Sequence, residues 1–357
     1  RLADLDQVPS PYLAGLNDKF FDDVLIPMMQ TSRGCPYSCA FCHEGGRYFS
    51  KVRAVSGERI AAELRYIAER AKVPDFVVVD SNFGILEQDL ETCRAIAAMQ
   101  DEHDWPRYVF VATAKNNKDR VVAAARLLPG TINPGAAVQS TDAAVLANIR
   151  RKNLPMEAVV DIAKVSEAHD ANSFTEIILC LPGDTRDAHF RSVFDMVDLG
   201  INYVRMYQFM LLPGTEADTP EYRKRFAMET RFRVLPRCFG RYRLFDDDFQ
   251  VAEVEEICVA NASMPFADYL ECRSLNLTVE VFYNGSIFFE LIQLLKRLDI
   301  APSAFLATVH ARVGADDGLF AELYGEYRAD QQKNLWETPD AIHDFAAAEG
   351  VLERYIE

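Results

Sequence analysis

The sequence of 357 residues contains no long hydrophobic run. No stretch approaches the roughly 18 consecutive apolar residues that a membrane-spanning helix requires. Residues 1–11 are polar and lack the apolar core of a secretory signal. We therefore expect a cytosolic protein that does not act at a membrane.

Positive charge is also scarce. The chain has 38 Lys and Arg residues against 54 Asp and Glu residues, which gives a formal net charge of −16. Surfaces that bind nucleic acid or anionic lipid gather Lys and Arg, so we expect neither as a partner. A local basic pocket remains compatible with this balance, and a small-molecule or peptide substrate is favoured.

The chain is also short of cysteine for a disulfide scaffold, with eight residues. A chain of this length buries roughly three-quarters of its unfolded surface and needs no disulfides to fold. In a reducing compartment, clustered cysteines indicate metal binding or catalysis. Cys35, Cys39 and Cys42 form such a cluster, whereas the other five are scattered and are interpreted as bystanders.

Apolar runs alternate with helical patterns over the first 216 residues. The six runs are Leu25–Gln30, Phe76–Asp80, Tyr108–Thr113, Ala136–Gln139, Phe174–Leu181 and Tyr203–Leu212. They recur about every 36 residues, the length of a strand–helix–strand unit. The pattern predicts an α/β fold with an open parallel barrel at 24–216, after an extended lead-in at 1–23.

Residues 217–357 are predicted to be mainly helical. The helical patterns lie at Glu253–Val259, Phe282–Leu298, Ala304–Val313 and Ala341–Tyr355. Strand signals are few after Pro213-Gly214, so the alternation of the first part ends there.

Three interpretations compete for the cysteine cluster, which follows the first predicted strand. Zinc is disfavoured because the adjacent Cys42 and His43 point differently and no second paired-cysteine knuckle is present. A chance set of core cysteines is disfavoured by the polar and turn-forming residues between them. An iron–sulfur cluster with one iron left open for a substrate or cofactor is the interpretation we favour.

The spacing C-x3-C-x2-C, with Phe41 before the third cysteine, resembles the signature of the radical S-adenosylmethionine (radical SAM) superfamily. The resemblance implies a 4Fe–4S cluster held by Cys35, Cys39 and Cys42, with SAM at its open iron and Phe41 beside the cofactor. It also implies a partial (β/α)6 barrel.

Other segments extend the resemblance to the SAM site. Asp80 and Asn82, after the second strand, occupy the place that binds the SAM amino group in the family; a strand-end cap is the alternative. Gln139 and Ser140, after the fourth strand, resemble the segment that binds the ribose and carboxylate. Ser140 is alternatively a helix N-cap.

The fifth and sixth strands supply the remaining candidates. The stretch from Glu176 to Thr185 resembles the family segment along the adenine, with backbone groups near Leu181 making the contact. Cys180 stands where many members have glycine and is interpreted as a core position. Arg205 either pairs with a SAM or substrate carboxylate, or pairs with Glu176 across the barrel.

The lead-in and the segment Gln30–Cys35 resemble the subgroup whose barrel follows a cobalamin-binding domain. This resemblance implies cobalamin and possible methyl transfer. The cobalamin motif D-x-H-x-x-G does not occur in the chain. Either a cobalamin domain precedes Arg1 in the full-length protein, or this branch has lost it.

The implied activity is reductive cleavage of SAM, with an electron from a flavodoxin or ferredoxin-type donor, followed by hydrogen abstraction from a substrate. Weak candidates for contact with the substrate are His43, Lys115 and Tyr207, and also Glu44, Asn116 and Phe209. The rival interpretation is a non-catalytic iron–sulfur or zinc protein that transfers electrons or binds a partner.

Overall fold

The computed structural model describes residues 2–115, 117–132, 135–168, 173–313, 318–348 and 350–351. The strands are β1 (Met28–Met29), β2 (Ser32–Arg33), β3 (Arg53–Ala54), β4 (Asp75–Phe83), β5 (Tyr108–Thr113), β6 (Gly135–Gln139), β7 (Phe174–Leu179), β8 (Tyr203–Gln208), β9 (Glu229–Leu244) and β10 (Asp247–Ala260). The α-helices are α1 (Gly57–Ala68), α2 (Gln88–His103), α3 (Lys118–Leu127), α4 (Ala143–Asn148), α5 (Met156–Ala168), α6 (Arg186–Asp198), α7 (Pro220–Arg225), α8 (Phe266–Val279), α9 (Phe289–Arg297), α10 (Pro302–Val313), α11 (Leu319–Lys333) and α12 (Pro339–Ala347).

The predicted α/β class is confirmed, and each of the six predicted runs contains a parallel strand. One sheet has the order β1–β4–β5 and a second has the order β6–β7–β8. A parallel bridge between Val109 and Ile132 brings the edge of the first sheet beside the segment that leads into β6. The first strand is shorter than predicted, since only Met28–Met29 pairs with β4.

Side chains alternate along the strands between a helix-covered face and an inner face. On β4, Phe76 and Val78 are buried in a core with Ile60 of α1 and Ile96 of α2. Residues between them face the other way, into the space that the strands enclose. Helix α1 begins at the Ser56 cap, whose hydroxyl accepts from the Arg59 N–H at 3.2 Å.

The prediction that Glu253–Val259 is helical is wrong, because this segment lies in β10. Strand β10 pairs antiparallel with β9, and this long hairpin interrupts the predicted helical region. The β-branched residues Val251, Val254 and Ile257 favour a strand once a partner is present. That partner is β9, in which Val234 pairs with Val254 from 20 residues earlier in the chain.

Strand β10 also extends the second parallel sheet. The Cys258 N–H donates to the Phe209 carbonyl at 2.9 Å, and the Leu211 N–H donates to the Glu256 carbonyl at 2.9 Å. Since the Phe209 N–H bonds the Leu179 carbonyl at 3.0 Å, the hairpin continues the ladder that starts in β7.

The remaining C-terminal predictions of helix are largely confirmed. The predicted helix Phe282–Leu298 is split into a short π-helix at Glu280–Asn284 and helix α9. The predicted helix Ala341–Tyr355 coincides with α12 up to Ala347, and its last residues lie outside the described ranges. Within those ranges, no helix combines the length and apolar character needed to cross a membrane.

Candidate functional site

A cavity of ≈ 540 Å³ lies between the strands of the two parallel sheets. It is lined by residues from β4 to β8, including six that the sequence singled out: Phe41, Asp80, Lys115, Gln139, Glu176 and Arg205. Its apolar wall is open to solvent, since Val79 is 41% exposed and Phe110 is 49% exposed. The structure therefore brings most of the predicted cofactor residues into one accessible space.

The cysteine loop leaves β2 and is fixed by close backbone approaches. The Cys35 N–H donates to the Phe49 carbonyl at 2.8 Å, and the Ala40 N–H donates to the Ile149 carbonyl at 3.0 Å. Gly34 has a φ of 113°, and a Cβ there would lie 2.5 Å from the Lys51 carbonyl oxygen. Only glycine fits this position, so the glycine before the first cysteine sets the course of the loop.

The three thiols of this loop lie among donors and cations. Cys35 and Cys39 are buried and Cys42 is half-buried. The Asn82 amide nitrogen lies 3.2 Å from the Cys35 Sγ as a donor. Burial raises the pKa of the Cys42 thiol, which the neighbouring thiols also raise and the Lys115 ammonium lowers.

Arg151 is a second cation at the loop, and sequence reasoning did not select it. Burial lowers the pKa of its guanidinium, and the nearby Cys39 thiol and Glu176 carboxylate oppose that effect. Its side chain donates to the Ala137 carbonyl and, at 3.1 Å, to the Asn153 amide oxygen. The sequence feature that could have indicated Arg151 is its place in Ile149-Arg150-Arg151, which follows helix α4.

The donor set fits an iron–sulfur cluster better than a single ion. Within the described ranges, no three His, Cys, Asp or Glu side chains converge as the ligands of one metal ion do. A multi-iron cluster binds each thiolate through a different iron, so its ligands need not meet at one point. Soft thiolates beside an amide donor and cations are the environment that such a cluster requires.

The Asp80 carboxylate is occupied within the chain. It accepts hydrogen bonds from the Thr31 N–H at 2.7 Å, the Thr31 hydroxyl at 2.6 Å and the Ser32 hydroxyl at 2.7 Å. The alternative role, a structural tie at the strand end, is therefore the one that its contacts show. Thr31 and Ser32 were not singled out from the sequence.

Asn82 offers what Asp80 does not, a free acceptor at the site. Its side chain is buried, and its Oδ1 is among the buried side-chain atoms of the described residues that have no hydrogen-bond partner. Since its Nδ2 faces the Cys35 sulfur, the free oxygen lies next to the cysteine loop. A buried acceptor without a partner is costly unless a ligand satisfies it.

Gln139 and Ser140 lie at the end of β6. Gln139 lines the cavity and has a φ of 67°, a left-handed conformation that is uncommon outside glycine and clusters at functional sites. The Ser140 hydroxyl accepts from the Asp142 N–H at 3.1 Å and lies 3.4 Å from the Ser192 hydroxyl. The alternative that Ser140 is the N-cap of the next helix does not hold, because Asp142 is the N-cap of α4.

Glu176 and Arg205 are neighbours in register on β7 and β8, and both line the cavity. Among the described residues no ion pair within 4.0 Å joins them, so the predicted alternative of a Glu176–Arg205 pair is wrong. The Arg205 guanidinium instead stacks on the Phe174 ring at 4.5 Å. A cation held in this way is available to an incoming carboxylate.

Leu181 is buried behind the cavity wall and does not line it. Its carbonyl accepts from the Asp184 N–H at 2.9 Å and from the Asn261 amide at 3.1 Å. Cys180 lies in the apolar core, as its interpretation as a core position implied.

Of the weak substrate candidates, Lys115 lines the cavity, whereas His43, Glu44 and Tyr207 are not among its lining residues. The His43 ring lies 5.3 Å from the Phe49 ring, and the Lys115 ammonium lies 5.5 Å from the centre of the Tyr37 ring. Tyr207 is 48% exposed, two residues beyond Arg205 on β8. Phe209 is buried in the core, and Asn116 lies outside the described residues.

Two curated relatives share about a third of their aligned residues with this chain. The chain is 31% identical over 333 residues to 2-(S-pantetheinyl)-carbapenam-3-carboxylate methyltransferase of Streptantibioticus cattleyicolor. The alignment covers 89% of this chain and 48% of that protein. It is 32% identical over 298 residues to the cobalamin-dependent radical SAM methyltransferase TokK of Streptomyces tokunonensis. That alignment covers 80% of this chain and 42% of TokK. The chain thus spans about half the length of these relatives.

Other comparisons are less informative. No family model matches the chain. The solved structure of the radical SAM methyltransferase TsrM from Kitasatospora setae, with tryptophan and a SAM analogue bound, is 15% identical, with a TM-score of 0.48. It covers 64% of this chain and 43% of that chain, a likeness too loose to support an argument.

Proposed function

We propose a function from the premise that this chain belongs to the radical SAM superfamily and resembles its cobalamin-associated subgroup. The chain acts as the part of an enzyme that cleaves SAM reductively and starts radical chemistry on a small molecule. One observation carries this proposal: a three-cysteine loop lies beside an open cavity, with the buried Asn82 amide donating to the Cys35 sulfur.

In this proposal Cys35, Cys39 and Cys42 hold a 4Fe–4S cluster. When bound, the cluster supplies the electron that cleaves the sulfonium C–S bond of SAM and yields a 5′-deoxyadenosyl radical. The protein stabilises the thiolate ligands through the Asn82 donor and the nearby cations of Arg151 and Lys115.

The cavity provides groups for each charged part of SAM. The free Oδ1 of Asn82 is suited to accept from the amino group, with Asp80 fixing the strand end beside it. Gln139 and Ser140 are assigned to the ribose and carboxylate. By the family resemblance, the adenine is assigned to the backbone of the turn that begins at Leu181, which follows the cavity-lining strand β7, and Phe41 is placed beside the cofactor.

We assign Arg205 to a carboxylate, of SAM or of the substrate. Its guanidinium has no acidic partner within 4.0 Å among the described residues and is oriented by the Phe174 ring. Glu176, its neighbour in register, supplies the opposite charge on the same wall. A small molecule that carries both charges, or SAM itself, would be oriented by this pair of strands.

The fold proposed for this site is a partial (β/α)6 barrel that spans residues 24–216. Two three-stranded parallel sheets, with helices after the strands and a bridge from β5 to the segment that precedes β6, support this proposal. The region 217–357 is proposed as a second domain that contacts the barrel through β10.

Methyl transfer is the reaction that we assign, because both curated relatives are named methyltransferases. One of them acts, by its name, on a carboxylate-bearing carbapenam, which agrees with a cation that awaits a carboxylate in the cavity. We place cobalamin outside the residues of this chain. The electron donor is a flavodoxin or ferredoxin-type protein of the cytosol.

Anaerobic reconstitution tests the proposal. The chain is loaded with iron and sulfide and reduced by dithionite or flavodoxin in the presence of SAM, and the products are separated by chromatography and mass spectrometry. We expect 5′-deoxyadenosine and methionine, and neither product without reductant. A chain that carries a full cluster and forms neither product would favour the rival, a non-catalytic iron–sulfur protein.

A further inference from the structure

The turn after β7, residues 181–184, is held from behind by side chains of distant elements. The Asn261 amide nitrogen donates to the Leu181 carbonyl at 3.1 Å and lies 3.4 Å from the Cys180 carbonyl. The Ser263 hydroxyl donates to the Asp184 carbonyl at 2.7 Å. Asn261 and Ser263 belong to the turn after β10, about 80 residues away in the chain.

Asn261 is itself fixed, so it holds the other turn rigidly. Its side-chain oxygen accepts from the Ser263 N–H at 2.9 Å and the Met264 N–H at 3.1 Å, and it lies 2.9 Å from the Ser263 hydroxyl oxygen. With the oxygen engaged in its own turn, the amide nitrogen can only face the turn after β7. Both the donor and the acceptor of one buried amide are thereby used.

The 181–184 turn has little room to move in the other direction. The Asn148 amide donates to the Pro182 carbonyl at 2.9 Å, and the Asn148 carbonyl accepts from the Tyr222 hydroxyl at 2.8 Å. Gly183 has a φ of 82°, and a Cβ there would lie 2.5 Å from the Asn148 Nδ2. The turn is thus confined between Asn148 on one side and Asn261 on the other.

The position of Asn261 is set by strand pairing. The Cys258 N–H donates to the Phe209 carbonyl at 2.9 Å, and the Phe209 N–H donates to the Leu179 carbonyl at 3.0 Å. This ladder fixes the register between β10 and the end of β7. Three residues after Cys258, the chain therefore places the Asn261 amide opposite Leu181.

We propose that Asn261 and Ser263 are positioning residues for SAM binding. They act through the 181–184 turn, whose backbone we have assigned to the adenine, so this inference rests on the proposed function. The hairpin of the C-terminal region thus sets the shape of a cofactor surface that it does not itself contribute.

The test compares two variants of the reconstituted full chain. Asn261→Asp keeps the oxygen that its own turn needs but replaces the donor with an oxygen that repels the Leu181 carbonyl. We expect its Kd for SAM to rise about tenfold or more, with cluster absorbance and iron content unchanged. Ser263→Ala removes one hydrogen bond, and we expect a rise of about threefold.

Asn202→Ala is the matched control. The Asn202 amide oxygen accepts from the Ser173 N–H at 3.0 Å and from the Ser173 hydroxyl at 2.8 Å. These two residues directly precede β7 and β8, at the ends of the strands that lie away from the 181–184 turn. It should lower the urea midpoint while the Kd for SAM changes by less than about twofold. Hydrogen exchange of the peptide that covers residues 180–186 should accelerate in Asn261→Asp and not in Asn202→Ala.

The outcomes separate this inference from the proposed function. If the cluster-loaded wild-type chain does not bind SAM, the proposed function is overturned and the inference with it. If the wild type binds SAM and Asn261→Asp binds it equally well, the positioning role alone is overturned. Equal weakening in Asn261→Asp and Asn202→Ala would show a general loss of stability and would also overturn it.

Discussion

Two groups of three cysteines lie in this chain, one on a loop beside the cavity and one in the core. The loop triad, Cys35, Cys39 and Cys42, lies on a short loop beside the cavity. The core triad, Cys180, Cys258 and Cys272, comes from three separate elements and is buried in an apolar cluster. In the core triad, the Sγ atoms of Cys180 and Cys258 are 3.7 Å apart.

The charges around the two groups have opposite signs. Burial raises the pKa of Cys42, an effect that the Lys115 ammonium opposes, and the Arg151 guanidinium lies near Cys39. In the core triad, burial raises the pKa of Cys180 and Cys272, and the neighbouring Asp184 raises both further. Thiolates are the form that binds metal, so the cations favour deprotonation at the loop triad, whereas burial favours protonated thiols in the core triad.

Proximity of thiols alone therefore does not distinguish the two groups. Both groups have an amide nitrogen within reach of a sulfur, Asn82 at 3.2 Å from Cys35 and Asn261 at 3.6 Å from Cys180. The distinguishing features are the nearby cations and the open cavity.

Removal of thiols should give the largest difference between the two groups. We expect Cys39→Ala to lose nearly all bound iron and all SAM cleavage, because a three-ligand cluster cannot lose a ligand. Cys272→Ala should keep both and lose about 1 kcal/mol of stability from its core. Iron and sulfide per chain, with urea unfolding, measure the two effects; iron retained by Cys39→Ala would refute the ligand assignment.

Removal of the amide donor at the loop should have an intermediate effect. Asn82→Ala loses the hydrogen bond to Cys35 and the free acceptor, so we expect SAM cleavage to fall roughly 10- to 100-fold with most iron retained. The matched control is Asn276→Ala in α8, a buried amide that contacts His189 at 3.3 Å, far along the chain from the loop triad. Equal loss of activity in both variants would show that buried amides act here only through stability.

Neutralisation of the carboxylate beside the core triad should have the smallest effect. Burial raises the pKa of Asp184 to about 7 in the folded chain, above the 3.8 of an unperturbed carboxyl. The folded state therefore binds this proton more tightly, and stability is lost as pH rises from about 4 towards 7. We compare the free energy of unfolding of Asp184→Asn with that of the wild type at each pH. This difference should favour the variant by about 1–2 kcal/mol more at pH 8 than at pH 5.

Urea unfolding at the two pH values checks this prediction. Burial lowers the pKa of His189 to about 4, below the 6.5 of an unperturbed imidazole. The stability of the folded chain is therefore lost as pH falls from about 6.5 towards 4, which opposes the trend from Asp184. The His189 Nδ1 lies 3.9 Å from the Asp184 Oδ2, so the two groups titrate as a pair and the difference between pH 5 and pH 8 belongs to that pair. A difference between the chains that does not change with pH would contradict the assignment of a protonated Asp184.

The sequence predicts those features that depend on local spacing. The loop triad and the six strands were found because each has a motif or an apolar run of its own. Asp142 rather than Ser140 caps α4, an error of two residues that propensity cannot resolve because both residue types are good caps. The family resemblance supplied the assignments that no local pattern could.

Features that depend on distant pairing were not predictable. The segment Glu253–Val259 forms a strand because β9 on one side and residues 209–211, just after β8, on the other provide its partners. Arg151 reads as one of two adjacent basic residues, and only the fold shows it buried beside Cys39. Asn261 shows no motif, since its role arises from the register of β10.

The pairing of β10 with residues 209–211 also shields an edge. Without the hairpin, the backbone N–H and C=O groups beyond β8 would be an unpaired sheet border, of the kind that recruits strands from other molecules. A chain cut after residue 216, at the limit of the proposed barrel, would expose that border beside the buried Phe209 and Leu211. Self-association would then compete with folding, so the barrel and the hairpin are best produced together.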